Sequence, residues 1–182
     1  MRKTVFTFGT IAGVILSLMM LATVPFIDKI GFDRGEIIGY TSMVLAFVLI
    51  YFGVRSYREN VLNGTISFGR AFSVGALIAG VASVWYVATW QLVYNKFTPD
   101  FMERYQAHVV EKARADGESE AQIAKRQVDM AKYAQWYKNP VLRAGMTFVE
   151  PLPVALLMAL VSAGVLSRRR RDAVAVGRAV ST

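Results

Sequence analysis

Glu150 is the ionisable residue whose surroundings in the sequence are most unusual, because it is the only charged residue of a long apolar run. Pro151 and Pro153 follow it, and since proline has no N–H, two backbone carbonyls one turn earlier lose their helical donors. Carboxylates inside membrane segments often bind protons or cations. Two interpretations stay open. Glu150 is either a structural group of a kinked helix, protonated or paired with Gln91, a tyrosine or a basic residue of the 95–143 segment, or it is a proton or cation site.

Other reactive groupings are missing from the sequence. The chain has no cysteine and one histidine, His108, which excludes disulfides, thiolate nucleophiles and a multi-histidine metal site. The sequence patterns typical of nucleotide binding, zinc proteases and serine hydrolases do not occur. We therefore expect a protein that is not an enzyme and that needs no cofactor and no metal.

The composition is that of a membrane protein, with 54% hydrophobic and 19% charged residues and a mean hydropathy of +0.37. A bilayer core about 30 Å thick needs roughly 20 apolar residues in a helix, and four runs are long enough. They cover residues 5–27, 37–54, 72–94 and 144–166. This pattern predicts an all-α protein with four transmembrane helices, in which residues 1–182 form a single integral membrane domain.

The polar segment 95–143 has signals for two helices. The first helix is predicted to start at Thr98-Pro99-Asp100 and to end at Gly117. The second is predicted to start with a capping box from Ser119 to Gln122 and to stop at Asn139-Pro140. We expect an extracytoplasmic α-hairpin between the third and fourth spans. It would serve either as a solvated cap or as a docking module for a protein partner.

Two short connections also have local signals. Asp33 and Glu36 have the spacing of a capping box at the start of the second span, so we expect both acids to bind helix amides. Asn63-Gly64 predicts a tight turn between the second and third spans.

Small residues recur at every fourth position in three of the spans, which lets helices approach closely in a membrane. They are Gly9, Gly13 and Ser17, then Gly75, Ala79 and Ser83, and finally Ala155, Ala159 and Ala163. The pattern predicts a helix bundle and favours packing within one chain, while a homo-oligomer stays open.

Basic residues set the expected orientation, because Lys and Arg are retained on the cytoplasmic side. They are densest at the N-terminus, in the second loop and in the tail 167–182, so we expect both termini in the cytoplasm. The formal net charge is +8. The tail includes Arg168, Arg169, Arg170 and Arg171 directly after the fourth span, a position that predicts contact with anionic lipid headgroups rather than with nucleic acid.

Three further motifs occur in order along the chain: Gly35-Glu36-Ile37-Ile38-Gly39-Tyr40, the stretch from Gly64 to Phe72, and Glu150-Pro151-Leu152-Pro153 with Ser162-Ala163. In these motifs the chain resembles a family of small bacterial membrane proteins catalogued as domain of unknown function four-one-nine-nine. The resemblance implies a bacterial inner-membrane protein of about four spans with a helical insert before the last. It implies no activity, cofactor or substrate.

Two hypotheses of function follow from these patterns. The first is a non-enzymatic accessory or interaction protein that works through the 95–143 hairpin. The second is a small carrier or channel-like protein with a proton or cation site at Glu150.

Overall fold

The computed structural model describes residues 1–167, and within that range the chain consists of helices and turns without a β-strand. Arg168, Arg169, Arg170 and Arg171 lie outside the described residues, so their contact with lipid headgroups stays a prediction.

Four helical segments of the described chain are long and apolar enough to cross a membrane. They are Arg2–Ile30, Phe32–Val61, Phe68–Lys96 and Pro140–Ser167. Each contains one of the apolar runs predicted from the sequence and extends beyond it at both ends. The predicted architecture of four spans is therefore confirmed.

The first spanning segment is not a single regular helix. Helix α1 (Arg2–Thr23) is followed by a turn of 3₁₀ helix (Val24–Phe26) and the short helix α2 (Ile27–Ile30). Pro25 lies in the 3₁₀ turn and has no N–H to donate to the helical ladder, which explains why α1 ends there. Gly31 ends α2 with a positive φ of 85°, a conformation that favours glycine.

Helices α3 (Phe32–Val61) and α4 (Phe68–Lys96) are joined by the predicted tight turn, in which Asn63 and Gly64 have positive φ angles of 51° and 88°. We call this side of the bundle the turn end. Arg58 is buried here, and its Nη1 donates a 3.3 Å hydrogen bond to the carbonyl oxygen of Leu166.

Helices α5 (Phe101–Ala115) and α6 (Glu120–Lys138) form the hairpin at the opposite side, which we call the hairpin end. Gly117 makes the turn with a φ of 76°. The capping box is formed, because the Ser119 side chain accepts from the backbone N–H of Gln122 and the Gln122 side chain accepts from the backbone N–H of Ser119.

The predicted start of the first hairpin helix is wrong by two residues. Helix α5 begins at Phe101 after Asp100, whose side chain makes no capping hydrogen bond. The backbone N–H of Phe97 and that of Thr98 both donate to the carbonyl oxygen of Val93. The backbone of Thr98 therefore caps the C-terminal end of α4 and does not start α5.

The fourth spanning segment is broken into α7 (Pro140–Val149) and α8 (Leu152–Ser167). The Asn139 side chain accepts hydrogen bonds from the first backbone N–H groups of α7, so the predicted stop signal is also a helix start. The break falls at Glu150 and Pro151, where the missing proline donor predicted a kink.

Small residues hold the spans together within the chain. A methyl group added at Gly9 would lie 2.6 Å from the Cβ of Val81, and one added at Gly13 would lie 2.5 Å from the Cβ of Trp85. At Gly75, the added Cβ would meet the Cβ of Ala159 at 2.9 Å. The predicted small-residue faces therefore pack α1 on α4 and α4 on α8.

Candidate functional site

A cavity of about 410 Å³ lies at the hairpin end, where all four spanning segments and both hairpin helices contribute to its wall. One lining residue from each of these six elements illustrates the arrangement: Met20, Glu36, Tyr86, Phe101, Tyr137 and Glu150. Cavities of roughly 300–1,000 Å³ are typical of sites for small molecules.

Glu150 reaches this cavity because the fourth spanning segment breaks at that residue. The hydroxyl of Tyr86 donates a hydrogen bond of 3.2 Å to its Oε1 atom. Of the three kinds of partner expected for Glu150, the structure thus shows a tyrosine. Gln91 instead accepts from Arg143 and donates to the carbonyl oxygen of Pro140.

The two prolines do not line the cavity. Pro151 is buried in the bundle, whereas Pro153 is exposed. Their contribution is to the backbone: neither can donate to the carbonyl four residues before it, which allows the helix axis to change at Glu150.

A second carboxylate, Glu36, also lines the cavity. The capping box predicted for Asp33 and Glu36 is wrong, because α3 starts after Gly31 without any side-chain capping bond. Asp33 accepts a hydrogen bond of 2.6 Å from Lys112 instead. Glu36 lies on the same element one turn later and is free to face the cavity.

The charge of the wall has one sign. Glu36 and Glu150 are acidic, and none of the described residues that line the cavity is basic. Within the described chain, neither carboxylate forms a salt bridge. The cavity therefore has a negative electrostatic character whenever these groups are ionised.

Aromatic rings make up much of the remaining wall. Phe101 packs edge-on against Trp90 with the ring centroids 5.0 Å apart, and it stacks on Tyr105 at 6.2 Å. Burial raises the pKa of Tyr105, and the negative charges of Glu36 and Glu150 raise it further. Tyr105 thus lies within the electrostatic reach of both carboxylates.

Ion pairs attach the hairpin to the start of the second spanning segment and to the residues before it. Arg104 of α5 binds both carboxylate oxygens of Asp28, at 2.5 and 2.6 Å. Asp33 accepts a hydrogen bond from Lys112, which raises the pKa of Lys112. An oxygen of Asp33 also lies 3.3 Å from Nε2 of His108. Helix α5 is thereby held as a roof over the cavity.

Arg143 is a buried cation at the same end, with only 4% of its surface exposed. Its guanidinium donates to Gln91 at 2.6 Å, to Asn95 at 3.2 Å and to the carbonyl oxygen of Tyr137 at 3.4 Å, and it lies 4.1 Å from the ring centroid of Tyr94. Sequence reasoning placed Arg143 at the end of a polar loop. The sequence feature that could have indicated a buried partner for Arg143 was the four-residue spacing of Gln91 and Asn95, which places two polar side chains on one face of α4.

The four spans and the all-helical fold define a multi-pass membrane protein. The family described as "Protein of unknown function (DUF4199)" matches residues 7–168, and the chain belongs to this family. Comparison with curated proteins and with solved structures found no match in either case.

Proposed function

We propose that this protein is a non-enzymatic membrane protein that binds a cation, inorganic or organic, in the cavity at the hairpin end, with Glu150 as the charged contact. The observation that carries the proposal is that Glu150 and Glu36 line the same cavity, whose wall has no basic residue among those described. A cation in this cavity would be attracted by two carboxylates in a partly apolar environment, where electrostatic attraction is stronger than in water.

The accessory hypothesis relies on the hairpin as a docking module. The hairpin packs its apolar residues on the spans: Met102 and Tyr137 are buried in a cluster with Met20, Trp90 and Val93. This packing supports a role for the hairpin as a roof, and it leaves the cavity as the stronger basis for a function.

For the location, we propose the bacterial inner membrane with both termini in the cytoplasm, so that the cavity opens on the extracytoplasmic side. The density of arginine at the turn end and in the tail supports this orientation. Thr65→Cys and Lys125→Cys place single thiols on exposed residues at the two ends of the bundle. An impermeant thiol reagent added to intact cells should label only the Lys125→Cys protein. Labelling of the Thr65→Cys protein alone would reverse the orientation.

The binding proposal is tested by thermal unfolding of the purified protein in mild detergent between pH 5 and 8. Chloride salts of sodium, potassium and choline phenyl ether are compared at equal ionic strength. At least one of these cations should raise the unfolding midpoint of the wild type more than that of Glu150→Gln, because the variant keeps the shape of the side chain and removes its charge.

Glu103→Gln is the matched control. Glu103 is exposed on α5 and does not line the cavity, so its variant should respond to the cation as the wild type does. A midpoint that is insensitive to every cation and to pH in the wild type, and that equals that of Glu150→Gln, would refute the binding site.

A further inference from the structure

The lining of the cavity also points to the chemical class of its ligand. Eight aromatic residues contribute to the wall, from α3, α4, α5 and α6. The faces of aromatic rings attract cations, and cages of such rings are a known way to bind ammonium groups that carry alkyl substituents. Met19, Met20, Met43 and Met102 add flexible apolar surface that adapts to an organic body.

An inorganic cation fits this wall less well. Hard cations such as Ca²⁺ and Mg²⁺ take six or more oxygen ligands. In residues 1–167 no group of three or more His, Cys, Asp or Glu side chains is placed to hold a metal. The cavity of about 410 Å³ is also far larger than a site for a single dehydrated ion.

Taking the proposed binding site as given, we infer that its ligand is a small organic ammonium compound with an aromatic or aliphatic body, held between Glu36 and Glu150. A zwitterionic lipid headgroup carries a phosphate next to its ammonium group. Because none of the described lining residues is basic, the wall favours a free organic amine over such a headgroup.

The test compares choline phenyl ether with its neutral isostere 3,3-dimethylbutyl phenyl ether, in which carbon replaces the ammonium nitrogen. Ligand-dependent shifts of the unfolding midpoint are recorded for the wild type, Glu36→Gln, Glu150→Gln and the control Glu103→Gln. The ammonium compound should stabilise the wild type and Glu103→Gln. In Glu36→Gln and in Glu150→Gln its half-saturating concentration should rise by about tenfold, which corresponds to roughly 1.4 kcal/mol.

Each other result has a defined meaning. Equal stabilisation by the neutral isostere would overturn the inference, because charge would then play no part in recognition. Stabilisation by sodium or potassium alone, lost in Glu150→Gln, would overturn it while leaving the proposed function intact. An unchanged response of Glu36→Gln would also overturn it, since the site would have one carboxylate. Where Glu150→Gln is itself unstable, the isostere and Glu36→Gln still decide the outcome.

Discussion

The two ends of the helix bundle are built from different residues and have different interiors. At the turn end and through the middle of the bundle, α1, α3, α4 and α8 meet through glycine and alanine, and residues such as Ala46, Phe47 and Ile78 are completely buried. At the hairpin end, aromatic rings, two carboxylates and a helix break surround a cavity. The same four spans therefore give a close-packed half and an open half.

The difference shows how one bundle can combine a close-packed interior with a cavity that contains two carboxylates. Small residues allow close backbone contact and a large gain in dispersion energy in one half. In the other half, long polar side chains such as Arg143 and the hairpin ion pairs hold the elements together around a gap. The close-packed interior and the cavity of the proposed binding site thus lie at different ends of the bundle.

The largest effect is expected from filling the close-packed half. In Gly75→Leu, the new side chain would collide with Ala159 and Ile50 and force α4 away from α8. We expect a loss of about 3 kcal/mol or more, measured as a drop in the thermal midpoint in detergent. Gly80→Leu is the control on the same helix, because a Cβ at Gly80 has no neighbour within 4 Å. Equal losses in both variants would contradict close packing of α4 on α8.

An intermediate effect is expected from Arg143 at the hairpin end. Arg143→Met keeps most of the volume but leaves the side-chain oxygens of Gln91 and Asn95 without their donor. We expect a loss of about 2 kcal/mol and faster proteolysis within the hairpin. The stability of Arg143→Lys should lie between that of Arg143→Met and that of the wild type, because a single ammonium group cannot donate to all the acceptors that the guanidinium nitrogens reach. A fully stable Arg143→Met protein would show that this network does not anchor the hairpin end.

The smallest effect is expected from the exposed pair of Asp33 and Lys112. Lys112→Ala and Asp33→Ala should each lower the midpoint slightly, and the double variant should lose no more than the larger single loss. The effect should vanish at high salt. The hydrogen bond between the two groups raises the pKa of Lys112 and lowers that of Asp33. Stabilisation by the pair is therefore complete between the ordinary carboxyl value of 3.8 and the ordinary lysine value of 10.5, and it is lost as the pH rises through the raised pKa of Lys112 or falls through the lowered pKa of Asp33. Additive losses that are independent of salt would mean that the two groups do not interact in solution.

Several features were determined by the sequence alone because their causes are local. Contiguous apolar runs predicted the four spans, Asn63-Gly64 and Gly117 predicted two turns, and the Ser119 capping box predicted the start of α6, all of which the structure confirms. The small-residue spacing predicted tight helix packing, and Pro151 predicted the break at Glu150. Each of these depends on hydropathy, on backbone conformation or on a missing N–H within a few residues.

The candidate site was decided only by the tertiary structure. Glu36 has the sequence spacing of a capping residue. Its place in the cavity wall depends on the rotation of α3 about its axis and on the hydrogen bond between Asp33 and Lys112 of the hairpin. Arg143 becomes buried because Gln91 and Asn95 reach it from α4. These contacts join residues far apart in the chain. Their formation requires the packing angle, the rotation and the kink of each helix, which are set by the fit of the whole bundle and not by any local pattern.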